Sequence, residues 1–191
     1  MTPARGAAAS TSELPVAQAA VSYARQLHRG QRRRSDGEPF VAHLLEVASL
    51  LRDAGAGEPL VTAGVLHDAL EKTHVPASEL RSRFGGHVAG LVVAVTEDAS
   101  ISGYVRRKAA LRAQVADAGE EALMLFAADK IAKVRELAAA GVRSAPRRLD
   151  HYRLSLELLE RRRPQCGLTQ RLAAELEALA QQCQPGLASA R

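Results

Sequence analysis

The sequence contains no tryptophan and few aromatic residues, which make up only 3% of its 191 residues. A core without many large rings must be built from Ala, Leu and Val, and this composition favours closely packed helices over a sheet-rich fold. Even the longest stretches without a charged residue, such as Phe84 to Thr96, are shorter than the roughly 20 apolar residues that a membrane span needs. We therefore expect an all-α protein with no membrane partner.

Cysteine is also scarce. Cys166 and Cys183 stand alone without a CxxC spacing, which argues against a disulfide framework or a thiolate metal site. Residues 1–12 hold one arginine and an Ala/Ser run but no apolar segment of the kind found in a secretion signal. We expect residues 1–12 to be a disordered leader, both cysteines to be small apolar fillers, and the protein to be cytoplasmic.

The charge balance is basic, with 26 Lys and Arg against 21 Asp and Glu and a formal net charge of +5. A basic excess is compatible with nucleic-acid binding. The chain nevertheless has few aromatic side chains on which bases could stack, and it carries no recognised nucleic-acid motif. A nucleic-acid binder is therefore the least favoured interpretation.

Apolar periodicity, together with glycine and proline positions, predicts about eight or nine helices in one domain over residues 13–183, followed by a flexible tail at 184–191. Neither an internal repeat nor a long linker divides the chain. The predicted helices are 13–28, 40–54, 59–73, 77–84, 87–96, 102–117, 120–140, 146–163 and 168–182.

The most informative segment is an apolar stretch from Val65 to Glu71 that contains His67 and Asp68 side by side. Burying an imidazole and a carboxylate together is costly unless a partner such as a divalent metal satisfies them. Successive residues of a helix lie about 100° apart, so both side chains can reach one ion. Glu71 follows within one turn and shares their face.

His43 and Asp129 extend this pattern, because each lies in the middle of an apolar helical segment. Either residue alone would more often be a hydrogen-bonded core group than a ligand. Combined with the His67–Asp68 pair, they predict a site of two imidazoles and two carboxylates. Such a mixed nitrogen and oxygen site suits Mn²⁺, Fe²⁺, Mg²⁺ or Zn²⁺.

These blocks, in their order and spacing, resemble the HD superfamily of metal-dependent phosphohydrolases. Within it, the chain is similar to the hydrolase domain of RelA/SpoT-type proteins and to the small stand-alone alarmone hydrolases. The resemblance extends from about Tyr23 to Leu137. The blocks that carry it are 28–43, 63–73, 84–85, 88–92, 95–98, 107–108 and 128–130.

Members of this family remove the 3′-diphosphate from ppGpp and pppGpp with Mn²⁺, so the resemblance implies this activity, a guanosine polyphosphate as the small-molecule partner and Mn²⁺ as the cofactor. It implies that Glu71 assists the attacking water. The implied metal ligands are His43, His67, Asp68 and Asp129. The implied substrate contacts are Arg33, Arg34 and Ser35 around the nucleotide and Arg107 and Lys108 near the pyrophosphate.

Three positions depart from the family. Lys72 replaces an aspartate, Lys133 replaces an asparagine near the ribose, and Leu44 replaces a common proline. Lys72 could hold the phosphate or stabilise developing charge, leaving Glu71 alone to handle the water. Alternatively, the site could have lost turnover and act as a metal- or nucleotide-binding regulator. A phosphohydrolase acting on another phosphorylated nucleotide is the third possibility.

Overall fold

The computed structural model describes residues 14–140 and 146–182, and this part of the chain folds into nine helices with no strand longer than a single bridge. The predicted all-α fold is confirmed. The leader at 1–12, the tail at 184–191 and Cys183 lie outside the described residues. The helices are α1 (Pro15–Leu27), α2 (Val41–Asp53), α3 (Glu58–Leu66), α4 (Ala69–Lys72), α5 (Ala77–Val95), α6 (Tyr104–Ala118), α7 (Glu120–Ala139), α8 (Pro146–Arg162) and α9 (Gly167–Gln182).

Helix α7 is the central element, and it contacts α2, α3, α5, α6, α8 and α9. Its apolar residues lie on nearly every side, as expected for a helix that is surrounded by others. Phe126 and Ile131 are fully buried there, among a core made mostly of Ala, Leu and Val. None of the described helices is both long and apolar enough to cross a membrane.

Helices α2 and α3 pack closely because Gly64 has no side chain. A Cβ atom at this position would lie 2.7 Å from Leu51 Cδ1 and 3.3 Å from the backbone Cα of Ala48. The close approach brings His43, on α2, next to His67, at the end of α3.

The predicted continuous helix over 59–73 is wrong. Helix α3 ends at Leu66, and Asp68 has non-helical backbone angles (φ −95°, ψ 1°) before the short α4 begins. The His67 ring bonds back to the Gly64 carbonyl oxygen at 2.8 Å. With this break, the His67 ring and the Asp68 carboxylate both face the same buried cluster.

The two helices predicted at 77–84 and 87–96 form one element, α5, with a kink at Gly85. Gly85 has φ 89° and ψ 163°, a conformation that only glycine adopts without strain. The predicted interruption between the two helical segments is therefore present, but it consists of Gly85 alone.

Candidate metal centre

Three buried side chains from separate helices converge at the centre of the fold. His43 on α2, His67 after α3 and Asp129 on α7 place one ligand atom each within 4.8 Å of one another. The two Nε2 atoms lie 3.2 Å apart. Asp129 Oδ1 lies 3.2 Å from Nε2 of His43 and 3.4 Å from Nε2 of His67. The arrangement could hold a metal ion with nitrogen and oxygen ligands.

Asp68, the fourth predicted ligand, lies beside this cluster at a slightly greater distance. Its Oδ2 atom is 3.7 Å from Nε2 of His67 and 4.0 Å from Nε2 of His43. The carboxylate is buried, and Oδ2 has no hydrogen-bond partner among the described residues. A buried carboxylate oxygen without a hydrogen bond is unfavourable unless a nearby cation compensates it.

The outer nitrogens of both histidines indicate which ring atom faces the cluster. His67 Nδ1 lies 2.8 Å from the Gly64 carbonyl oxygen, and His43 Nδ1 lies 3.0 Å from Glu136 Oε1. Both neighbours are acceptors, which favours a proton on each Nδ1, although the His43–Glu136 contact lacks hydrogen-bond geometry. In the neutral rings, two Nε2 lone pairs and an Asp129 oxygen then face one point. This donor set fits a divalent cation, with Gly64 and Glu136 orienting the ligands.

Without a metal, the charges in the cluster compensate one another. Burial lowers the pKa of His43, but the adjacent carboxylates of Asp129 and Glu136 outweigh burial and raise that pKa to about 9. Burial raises the pKa of Asp68, but Lys133, His67 and Lys72 outweigh it and hold the pKa below its usual value. Both Asp68 and Asp129, whose pKa is also lowered, stay ionised and able to bind a cation.

Three lysines surround the two carboxylates. Lys130 Nζ lies 2.6 Å from Asp129 Oδ2, and Lys133 Nζ lies 2.9 Å from Oδ1 and 3.1 Å from Oδ2 of the same residue. Lys72 Nζ lies 3.8 Å from Asp68 Oδ2. Burial lowers the pKa of Lys130 to about 8, although Asp129 opposes this shift. The carboxylate of Asp129 is thus shared between histidines and ammonium groups.

A cavity of about 690 Å³ adjoins the cluster, a size suited to a nucleotide. Its lining is strongly basic, and Glu136 is its only acidic residue among those the structure describes. The predicted substrate contacts Arg33, Arg34, Ser35, Lys108 and Lys133 all line it, as do the ligand His43 and Lys72. The other lining residues are Gln31, Arg32, Phe40, Tyr104, Lys130, Glu136, Leu137, Ala140, Arg148, His151 and Tyr152.

Besides the proposed ligands His67, Asp68 and Asp129, two predicted site residues, Arg107 and Glu71, are absent from this lining. Arg107 donates from Nε to Glu97 Oε2 at 2.7 Å, and Lys108 pairs with the other oxygen of the same carboxylate. Only Lys108 of this basic pair borders the cavity. Glu71 is exposed, and its Oε2 atom lies 3.5 Å from the backbone nitrogen of Glu97.

Lys72 borders the cavity and remains partly exposed, with 38% of its side chain accessible. Its ammonium lies 5.1 Å from the centre of the Phe40 ring. Lys72, one of the three residues that depart from the pattern of the resembled family, therefore lies between the cavity and the buried carboxylate of Asp68.

Sequence reasoning missed Glu136, Lys130, His151 and Tyr152. Glu136 follows Asp129 by seven residues and Lys133 by three, so helical spacing places all three on one face of α7. That spacing could have identified Glu136. His151 and Tyr152 come from α8, and the sequence contains no signal that this helix reaches the cavity.

Comparison with known proteins places this geometry in a family. The family model described as the HD domain matches residues 20–151. A Synechocystis sp. protein named "Probable guanosine-3′,5′-bis(diphosphate) 3′-pyrophosphohydrolase" is 45% identical over 78 residues, which are 41% of this chain and 10% of that protein. The guanosine-3′,5′-bis(diphosphate) 3′-pyrophosphohydrolase of Aquifex aeolicus is 40% identical over 80 residues, which are 42% of this chain and 11% of that protein. The chain spans about a tenth of the length of these curated relatives.

Two solved structures have a similar fold. A Listeria monocytogenes protein is 30% identical with a TM-score of 0.67, and the match covers 76% of this chain and 98% of that one. A metazoan ortholog of SpoT, described as hydrolysing ppGpp, is 24% identical with a TM-score of 0.72, and the match covers 96% and 98% of the two chains. Because the HD domain model matches more than half of the residues of this chain, the chain belongs to the HD domain family.

Proposed function

We propose that this chain is a metal-dependent phosphohydrolase that removes the 3′-diphosphate of ppGpp or pppGpp, giving GDP or GTP and pyrophosphate. The observation that carries the proposal is the convergence of two imidazole Nε2 atoms and a carboxylate oxygen within 4.8 Å, next to a basic cavity. The activity that names the Synechocystis and Aquifex relatives agrees with it.

The metal ligands in this proposal are His43, His67, Asp68 and Asp129, and the ion is Mn²⁺ or another divalent cation such as Fe²⁺, Mg²⁺ or Zn²⁺. A bound ion of this kind supplies Lewis acidity, which activates water and withdraws charge from a phosphate. When the ion is bound, both histidines would be neutral, with Nδ1 of His67 facing the Gly64 carbonyl oxygen and Nδ1 of His43 facing Glu136.

The cavity residues would bind and orient the nucleotide. Arg34 is exposed at the rim, where a guanidinium can stack on a purine or hold a phosphate with two parallel hydrogen bonds. Arg33 is held in place by Asp36 and lies 3.8 Å from Glu136. Lys108 and Lys133 supply positive charge to the phosphates, with Ser35 as a hydroxyl contact and Arg107 fixing Glu97 behind Lys108.

Glu71 and Lys72 are the two catalytic residues in this proposal. Glu71 would orient or deprotonate the attacking water, which requires its exposed side chain to turn from Glu97 towards Asp68. Lys72 would hold the phosphate under attack or stabilise the charge that develops on it. The cytoplasmic location and the single domain over residues 13–183 belong to the same proposal.

A second candidate is a phosphohydrolase for another phosphorylated nucleotide. The observation that favours it is the pair of extra ammonium groups, Lys72 and Lys133, beside the ligand carboxylates. They make the centre more positive than an aspartate and an asparagine would. The exposed position of Glu71 instead favours a regulator that binds the metal and nucleotide without turnover.

One assay separates these three functions. The purified protein is incubated with Mn²⁺ and either ppGpp, pppGpp or other nucleotide phosphates, and the products are resolved by ion-exchange chromatography. We expect pyrophosphate and GDP from ppGpp, and no product from Asp68→Ala. Turnover of a different nucleotide alone would support the second candidate, and bound Mn²⁺ without any turnover would support the regulator.

A further inference from the structure

Lys133 occupies an unusual place for a cavity residue, because it contacts a candidate metal ligand directly. Its Nζ atom lies 2.9 Å from Asp129 Oδ1, the same oxygen that faces Nε2 of both His43 and His67. That oxygen is buried and makes no hydrogen bond among the described residues, whereas Lys133 donates a hydrogen bond to Oδ2 at 3.1 Å. The ammonium group and a metal ion would therefore compete for one atom.

The charges around the site point to the same competition. Two carboxylates, Asp68 and Asp129, have three ammonium groups within 4 Å: Lys72, Lys130 and Lys133. The negative charge is already compensated before any metal binds. A divalent cation would add two positive charges at the same carboxylates, and like charges at this distance repel strongly in a buried site.

Lys133 is the ammonium group best placed to leave. Lys130 is only 3% exposed, contacts the other oxygen of Asp129 and lies over the Phe126 ring at 4.3 Å. Lys72 is more exposed, at 38%, but of the two carboxylates it contacts Asp68, at 3.8 Å, and not the Asp129 oxygen that faces both histidines. Lys133 is 30% exposed and lines the basic cavity, so its side chain has space to turn away from Asp129.

We infer that Lys133 is a resident counter-ion of the metal site, which an incoming divalent cation displaces from Asp129 into the cavity. Once displaced, the ammonium group faces the space where an anionic ligand binds. Metal binding and anion binding then favour each other, because the anion offsets the positive charge that the metal adds. The inference rests on the proposed metal site but not on turnover.

The test is a titration of the metal-stripped protein with Mn²⁺, in which electron paramagnetic resonance measures the free ion. The variant is Lys133→Gln, and the matched control is Lys108→Gln, which removes the same charge from the same cavity but from a lysine paired with Glu97. We expect Lys133→Gln to bind Mn²⁺ at least about tenfold more tightly than the unchanged protein. Lys108→Gln should differ by less than about threefold, since it does not contact Asp129.

Two results would overturn the inference: equal or weaker Mn²⁺ binding by Lys133→Gln, or equal tightening by both variants, which would indicate a general effect of cavity charge. If neither variant nor the unchanged protein binds Mn²⁺, the proposed metal site itself fails. If the Mn²⁺ affinities follow the expected pattern but the unchanged protein hydrolyses no nucleotide, the result would count only against the proposed function.

A second measurement uses the unchanged protein, in case Lys133→Gln does not fold. Acetic anhydride labels accessible lysine amines, and peptide mass spectrometry reports the extent at each residue. We expect Mn²⁺ to increase labelling of Lys133 severalfold, while labelling of the buried Lys130 remains low. Unchanged or decreased labelling of Lys133 would contradict displacement.

Discussion

Lys72 places an ammonium group 3.8 Å from Asp68 Oδ2, at the position where the enzymes that this chain resembles carry an aspartate. The replacement changes the local charge by two units beside a proposed metal ligand. The side chain is partly exposed and rests against Phe40, so it can be exchanged without disturbing the core. Residue 72 is therefore the position at which catalysis can be tested most cleanly.

We predict that Lys72→Asp raises the rate of ppGpp hydrolysis about tenfold, equivalent to ~1.4 kcal/mol of activation free energy. A carboxylate there restores a second group that can accept a proton from water. The control is Lys72→Met, which removes the charge without adding a base. A lower rate for both variants would instead assign Lys72 its own role in holding the substrate.

His151 offers a test of stability at a residue away from the proposed ligands. Burial, with Lys130, Lys108 and Arg112 nearby, lowers the pKa of His151 to about 2. The Arg112 guanidinium donates to His151 Nδ1 at 2.9 Å. The folded protein therefore keeps this ring neutral, whereas the unfolded chain takes up a proton below about pH 6.5.

Stability from this difference is present above pH 6.5 and is lost as the pH falls below it, at about 1.4 kcal/mol per pH unit. We predict that the free energy of unfolding, measured in urea at pH 6.5 and pH 5.0, falls by ~2 kcal/mol less in His151→Gln than in the unchanged protein. Equal losses in the two proteins would show that His151 is already charged when folded.

At the scale of the helices, the site depends on how closely α2 and α3 approach. Gly64 permits this approach, since its missing Cβ would lie 2.7 Å from Leu51 Cδ1 and 3.3 Å from Ala48 Cα. The two helices carry the histidines, so any separation would change the distance between their Nε2 atoms.

We predict that Gly64→Ala lowers the free energy of unfolding by ~1–3 kcal/mol through overpacking and also weakens Mn²⁺ binding. Gly90→Ala on α5 is the matched control, because its Cβ would meet nothing within 4 Å. This control should be neutral or stabilise by ~0.5–1 kcal/mol. Urea denaturation and the Mn²⁺ titration measure both effects, and a stable, tight-binding Gly64→Ala protein would contradict the packing argument.

The helices themselves were mostly predictable from glycine and proline positions and from apolar spacing. The break between α3 and α4 was not, because Val65 to Glu71 contains neither glycine nor proline and its pattern is compatible with continuous helix. The break appears only in the folded protein, where the His67 ring bonds back to the Gly64 carbonyl oxygen and Asp68 faces the same cluster. Tertiary interactions decided the local structure here over local propensity.

At the scale of the whole molecule, the basic excess has a local explanation. The lining of one cavity contains eight of the lysines and arginines, with Glu136 as the only acidic side chain among its described residues. From the sequence, we predicted that Arg33, Arg34, Lys108 and Lys133 contact the substrate, and all four line this cavity. The sequence could not place Arg148 or His151 there, because the contribution of α8 depends on how that helix packs against α6 and α7.

The proposed metal ligands join α2, the α3–α4 turn and α7, so metal binding should stabilise the entire fold. A ligand that binds only the folded state at 100 times its Kd adds about 2.7 kcal/mol. For a protein of this size we predict a rise in Tm of about 5–10 °C with saturating Mn²⁺. The rise should be reversed by a chelator and absent in Asp129→Asn. An identical rise in that variant would indicate binding elsewhere.

The central claim is that a single ion at the His43, His67, Asp68 and Asp129 cluster supports hydrolysis of ppGpp. The most direct test is to strip the protein of metal and measure pyrophosphate release from ppGpp as Mn²⁺ is added in known equivalents per chain. We predict no release without metal, a linear rise that reaches its plateau at one equivalent, and no recovery in His43→Ala. Equal release by the stripped protein, or full recovery in His43→Ala, would contradict the account.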